Sequence, residues 1–155
     1  MRPVIAAALL ALASASVCPA AGVAGAAEPA PGVFTPGVWS ALDLAGDNAR
    51  ELLRALSAAP AEDAAAVRFL IESLPPVDLA TVDSAFLLDT ARLARQARER
   101  FPWGRSMPDD IFLRYVVAPR VSQEPLEEGR ACLLGEIGPR VEGAASMTEA
   151  ALEAN

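Results

Sequence analysis

The chain has no histidine and no lysine among its 155 residues, a single tyrosine and two cysteines. Each shortage closes off a chemistry. Without an imidazole there is no Ser-His-Asp triad, no Cys-His dyad and no His-ligated metal within these residues. All 13 basic residues are arginines, and against 20 acidic residues they leave a formal charge of −7. That balance is wrong for a nucleic-acid partner, because phosphate contacts need a basic face. What is plentiful is alanine, with 34 residues, inside an apolar fraction of 53%.

The N-terminus accounts for part of that fraction. Met1 and Arg2 give a short positive start, and Val4 to Val17 is an unbroken run of apolar and small residues. Small residues then lead to Ala24-Gly25-Ala26-Ala27. This is the anatomy of a secretory signal peptide over residues 1–27, cut after Ala26 or Ala27. The apolar run is short for a permanent bilayer helix, so no stable membrane span is expected after cleavage. A lipid anchor at Cys18 is disfavoured by Val17, where a small residue is needed. The product is expected outside the cytoplasm, in the periplasm or the medium. Its 128 residues carry a net charge of −8 and suffice for one core. With Cys18 removed, Cys132 has no partner within the chain. Its setting, Ala131-Cys132-Leu133-Leu134, predicts a buried, inert thiol. No histidine exists to ionise it for catalysis.

Residues 28–37 hold three prolines and two glycines without a period and read as a flexible lead-in; residues 38–155 read as one helical domain. Val38 to Ala45 is expected to be helical. Asp47 is a candidate cap for a helix with Leu52, Leu53 and Leu56 on one face, ending near Pro60. Pro60 is expected to open the next helix, with Glu62 and Asp63 in its first turn. The spacing of Val67, Leu70, Ile71 and Leu74 predicts a buried helical stripe, stopped by Pro75-Pro76. Asp78 or Asp83 caps the longest helix, which runs to about Arg100. Its inner face is Phe86, Thr90, Ala91, Ala94, Ala97 and Phe101, and Arg92, Arg95 and Arg98 form a solvated stripe with local ion pairs.

After the break at Phe101-Pro102-Trp103-Gly104, Ser106 to Asp109 has the form of a capping box. Ile111, Phe112, Tyr115 and Val116 follow at helical spacing, as far as Pro119. Val121 to Pro125 reads as a linker. Leu126 to Val141 is expected to be helical, weakened by glycines and ended or kinked by Pro139. Ala144 to Ala154 forms the last helix, with Met147, Ala151 and Leu152 on one side. No segment alternates like a strand and no repeat is present. The fold class is therefore all-α, a small bundle of five to seven short helices.

From about Ala61 the order of pieces resembles a known family. Phe69-Leu70-Ile71-Glu72-Ser73-Leu74-Pro75 is followed by Phe86-Leu87-Leu88-Asp89 and Pro102-Trp103. Then come Pro108 to Arg120, Gln123-Glu124-Pro125-Leu126 with Arg130, and Glu149 to Asn155. The series is similar to the helical N-terminal region of bacterial exported transglutaminase-like proteins. It departs from the pattern at Gly129, where relatives carry tryptophan, and at Val117-Ala118-Pro119. The resemblance implies an accessory domain beside a papain-like catalytic domain, whose cysteine, histidine and aspartate perform acyl transfer. That domain is the expected partner, and these 155 residues would be a fragment or truncation without it. No catalytic residue carries over, and neither a cofactor nor a metal is implied. The alternative is a self-contained exported binding or inhibitory module.

The polar residues of the resemblance are Arg120, Glu124 and Arg130. The expectation is that they are structural or docking residues, with Glu124 pairing to one or both arginines through their bidentate geometry. Trp103 and Tyr115 are expected to anchor a core edge with their polar tips wet. Asp109 with Asp110, and Glu127 with Glu128, read as helix-start acids, since adjacent helical residues do not face each other.

Overall fold

The computed structural model describes residues 34–120, Leu126 and residues 129–154. Residues 1–27, read above as a signal peptide with Cys18 in it, most of the segment read as a lead-in, Glu124, Glu127 and Glu128 lie outside the described residues. Among the described residues all regular structure is helical and no strand occurs. Six helices have eight residues or more, and single turns join several of them.

Helix α1, Pro36–Ala45, starts where a threonine precedes a proline. Thr35 Oγ1 accepts from Val38 N at 3.2 Å, and Pro36 loses nothing at a position whose N–H has no helical partner. The helix thus begins two residues inside the segment read as lead-in. It buries Val38, Ala41, Leu42 and Ala45. Gly46, at φ 56°, makes the left-handed step that an L side chain resists. A 3₁₀ turn then enters α2, Ala49–Ala58. Asp47 does not cap α2, as its sequence position suggested; it sits within this turn. Asn48 holds the cap position, and its amide donates to the carbonyls of Leu79 and Val82, both at 2.8 Å. Leu52, Ala55 and Leu56 are buried, but Leu53 is exposed, because one residue turns the chain about 100° around a helix.

Helix α3, Ala64–Ser73, begins four residues after Pro60 because a turn takes up Ala61 to Asp63. Its expected stripe is present: Val67, Leu70, Ile71 and Leu74 are all buried. Pro75 ends it and Pro76 starts the single turn α4, Pro76–Leu79. Helix α5, Ser84–Arg100, is the mast of the bundle and packs against α2, α3, α6, α8 and the π-helix. Asp83 caps it, accepting from Phe86 N at 2.7 Å. Leu87, Thr90, Ala91 and Ala94 form its buried face, while Phe86 is half-buried.

Helix α6, Pro102–Arg105, turns back tightly against α5. A Cβ on Gly104 would stand 2.6 Å from the Arg98 carbonyl oxygen, so only glycine permits the approach. The expected capping box does not form. Ser106 Oγ donates backward to the Trp103 carbonyl at 3.0 Å, closing α6 instead of opening α7. Asp109 pairs with Arg98 at 2.8 Å. Helix α7, Asp109–Ile111, runs directly into a π-helix, Phe112–Val117. The wider turn changes which side chains share a face. Phe112 and Val117, five apart, are buried, and Tyr115 is 76% exposed. Tyr115 is therefore no core anchor.

The chain resumes in α8, Arg130–Ile137, which stops before Gly138-Pro139, and ends in α9, Met147–Ala154. Phe101, Val141, Ala144 and Ala150 make a second small core here. Helix α8 buries none of its residues, and Met147 and Leu152 of α9 are exposed. Cys132, expected to be buried, is exposed, 3.5 Å from Glu136 Oε1. Ala131, Cys132 and Leu133 lie on the outward side of α8, while Leu134 and Ile137 are half-buried against the second core.

Candidate functional site

Two of the three polar residues of the resemblance meet at the end of the π-helix, and the third, Glu124, is outside the described residues. Arg130 NH2 donates to Val117 O at 3.1 Å and also to Ala118 O, and its NH1 donates to Val116 O. These carbonyls end a helix and have no partner further along it. A cation there also suits the negative end of the helix dipole. Burial pushes the Arg130 guanidinium below its ordinary value, yet an arginine stays charged in any aqueous range. Among the described residues no carboxylate pairs with it.

Arg120 reaches the other way and donates to Asp78 Oδ1 at 2.6 Å. Asp78 is 6% exposed. Arg120 Nε and Asp78 Oδ2 are both buried with no hydrogen-bond partner among the described residues. Asp78 was a candidate helix cap by sequence. Forty-two residues separate it from Arg120, so no local spacing signals the pair.

The arginines of α5 are also not the solvated stripe their spacing suggested. Arg92 pairs locally with Asp89 at 2.9 Å, on the surface. Arg95 instead grips Asp63, with Nε to Oδ1 at 2.7 Å and NH2 to Oδ2 at 3.3 Å, and that carboxylate is 3% exposed. The bond to Asp63 raises the Arg95 pKa further. Arg98 donates to Met107 O at 2.6 Å and lies 4.6 Å over the Phe112 ring. Two of the three therefore tie α5 to neighbouring elements. Asp109 and Asp110 stand exposed at the start of α7.

Beside the Arg120 and Arg130 pair opens a cleft of about 890 Å³. The second half of α5, α6, the end of the π-helix, α8 and α9 form its walls. Alanines account for its size: Ala94, Ala97, Ala150, Ala151 and Ala154 bring helices alongside without filling the space between. Trp103 lies in the wall, stacked on Phe101 with centroids 5.1 Å apart and planes 4° apart. Its Nε1 was expected to be wet but is buried with no partner. Tyr115 lines the same cleft. Among the described residues of the lining, Arg120 and Arg130 are the only charged ones and none is acidic.

The described residues contain no group of three or more histidine, cysteine, aspartate or glutamate side chains able to hold a metal. None of their helices is long and apolar enough to cross a membrane. Compared with protein-family models, with curated proteins and with solved structures, the chain matches none.

Proposed function

We propose that this chain is a non-catalytic helical accessory domain of an exported transglutaminase-like protein, placed beside a papain-like catalytic domain. The observation that carries the reading is the use made of Arg120 and Arg130. Arg130 closes the π-helix and Arg120 clamps α4, which is what scaffold residues do. The lone described thiol, Cys132, faces solvent 3.5 Å from Glu136 Oε1, and the sequence has no histidine to serve as its base. Two measurements test this. The gene beyond the codon for Asn155 is expected to continue in frame into a stretch with cysteine, then histidine, then aspartate; a stop codon with no such frame adjacent overturns it. The 155-residue chain is expected to leave glutamine and peptide substrates unchanged; turnover abolished by Cys132→Ser would place chemistry in this chain and end the accessory reading.

A second reading, a self-contained exported binding module, is favoured by one feature, the alanine-floored cleft with two arginines at its edge. A stop codon at that point together with saturable ligand uptake would select it.

A further inference from the structure

The cleft has the character of a ligand site whichever of those readings holds. Its volume of about 890 Å³ falls in the range of small-molecule pockets, which are apolar with a few placed polar groups. Its charged groups have one sign. Among the described residues of the lining the only charged side chains are the two arginines, and the one other hydrogen-bonding side chain open to it is the Tyr115 phenol. On a chain of net charge −7 such a lining is a local exception, favouring an anion over a cation where the two arginines stand. The Val116, Val117 and Ala118 carbonyls accept three hydrogen bonds from Arg130, and a guanidinium carries five N–H donors, in a fork suited to a carboxylate.

The rest of the wall is hydrocarbon: Leu93, Phe101, Leu134, Ile137 and Val141, over the alanine floor. A molecule carrying polar atoms at intervals, such as an extended peptide, would leave its backbone groups unsatisfied along such a wall. A molecule with all its polarity at one end would not. We propose that the cleft binds a single long-chain carboxylate, a free fatty acid, with its head group against Arg120 and Arg130 and its tail along α5 and α9.

The chain has two tryptophans, and Trp39 is exposed on α1, stacked on Phe34. Trp39→Phe keeps an aromatic ring there and leaves Trp103 as the reporter of the cleft. Binding elsewhere, including to the apolar N-terminal run, is then not read. The full chain carrying this change is titrated with dodecanoate, and with dodecyltrimethylammonium as the cationic control, each below its micelle threshold. Dodecanoate is expected to shift Trp103 emission saturably at one per chain, and to bind about ten-fold or more tighter than the cation. Leu133→Glu and Met147→Glu place a carboxylate at the cleft from positions already exposed, so the fold is retained, as circular dichroism will show. Each is expected to weaken dodecanoate about ten-fold and to leave the cation unweakened. The paired change Asp78→Asn with Arg120→Gln keeps a neutral hydrogen-bonded couple and is expected to reduce the preference for the anion. Four outcomes overturn the proposal: no saturable shift, equal affinity for the cation, undiminished binding in a folded Leu133→Glu chain, or a shift that needs phospholipid vesicles. Light scattering that shows a dimer whose Trp103 ignores dodecanoate would also overturn it, by assigning the cleft to a second copy.

Discussion

Two regions of this molecule are built on different amounts of core. From Pro36 to Val117, twenty buried apolar residues form one continuous cluster drawn from α1 to α5 and the turns that follow. Beyond Gly129, the chain rests on four, of which Phe101 is borrowed from the end of α5. The first region spaces leucine, isoleucine and valine at helical intervals and closes over them. The second offers alanine where a core would want leucine, so its helices stand beside the bundle with a cleft between. The same abundance of alanine that eases helix formation limits how much surface each helix can remove from water.

The largest effect should come from the first core. Leu70 is fully buried in the α3 stripe, and Leu70→Ala is expected to cost about 3–5 kcal/mol, the transfer term plus a cavity. Leu134→Ala, on a half-buried position at the edge of the second core, should cost about 1 kcal/mol or less. Urea unfolding of the two variants measures both. Equal losses would mean that the two regions share one core after all.

The Arg120 clamp comes next. Asp78→Ala removes the carboxylate and leaves a mostly buried guanidinium unpaired. A fully buried pair broken this way loses about 3–5 kcal/mol, and Arg120 keeps enough exposure to reduce the loss to about 2–3 kcal/mol. Asp78→Asn with Arg120→Gln should recover most of it, since both polar groups then have a neutral partner. If the single and double variants melt together, the pair adds nothing and the α4 turn stands on its own packing.

How much of this could be known from residues alone follows the range of each interaction. The α3 stripe, the Asp83 cap and the stop at Pro75-Pro76 were legible because helix periodicity, capping and proline geometry act within a few residues. The all-helical class followed from the same signals. The partners of Asp78, Asp63 and Asn48 were not legible, because each lies more than thirty residues away and no local spacing encodes it. The π-helix was illegible for another reason. Ile111, Phe112, Tyr115 and Val116 fit an α-helical stripe, and only the packing of Phe112 and Val117 chooses the wider turn that turns Tyr115 outward. Of the candidate site, Arg120 and Arg130 were picked out through the family resemblance, not through anything their own neighbours required. The cleft could not be anticipated, since it is made by what alanine leaves unfilled.

Arg130 is the joint between the two regions, which makes it a sharper test of their difference than either core. Arg130→Met keeps the length of the side chain and removes the donors to Val116, Val117 and Ala118. The loss should be about 1–3 kcal/mol, the cost of stranding part-buried carbonyls. It should be felt unevenly. Amide exchange is expected to quicken in the π-helix and α8 and to stay slow in α3 and α5. Uniform quickening would show that the molecule opens as one unit.

The smallest effect concerns Glu51, and it belongs wholly to the first region. Its Oε2 accepts from Ser84 N at 3.1 Å and Ser84 Oγ at 2.7 Å, at the start of α5. These two bonds favour the ionised carboxylate, and Arg54 adds to them against a modest burial cost, so its pKa falls below the ordinary glutamate value. A group whose pKa is lowered by folding stabilises the fold above its unfolded pKa, near 4.3. That contribution disappears as pH falls through the lower folded value. Melting temperature should therefore show no Glu51 effect between neutral pH and about 5, and a decline below about 4. Glu51→Gln cannot ionise, so it should melt lower than the parent at pH 7 and approach it at pH 3. The other carboxylates titrate in both chains, so the difference between the two profiles isolates the α2–α5 link. Profiles that stay parallel down to pH 3 would mean that the Ser84 hydroxyl and amide hold a carboxamide as firmly as a carboxylate. The charge at that junction would then be incidental to the better-packed half of the molecule.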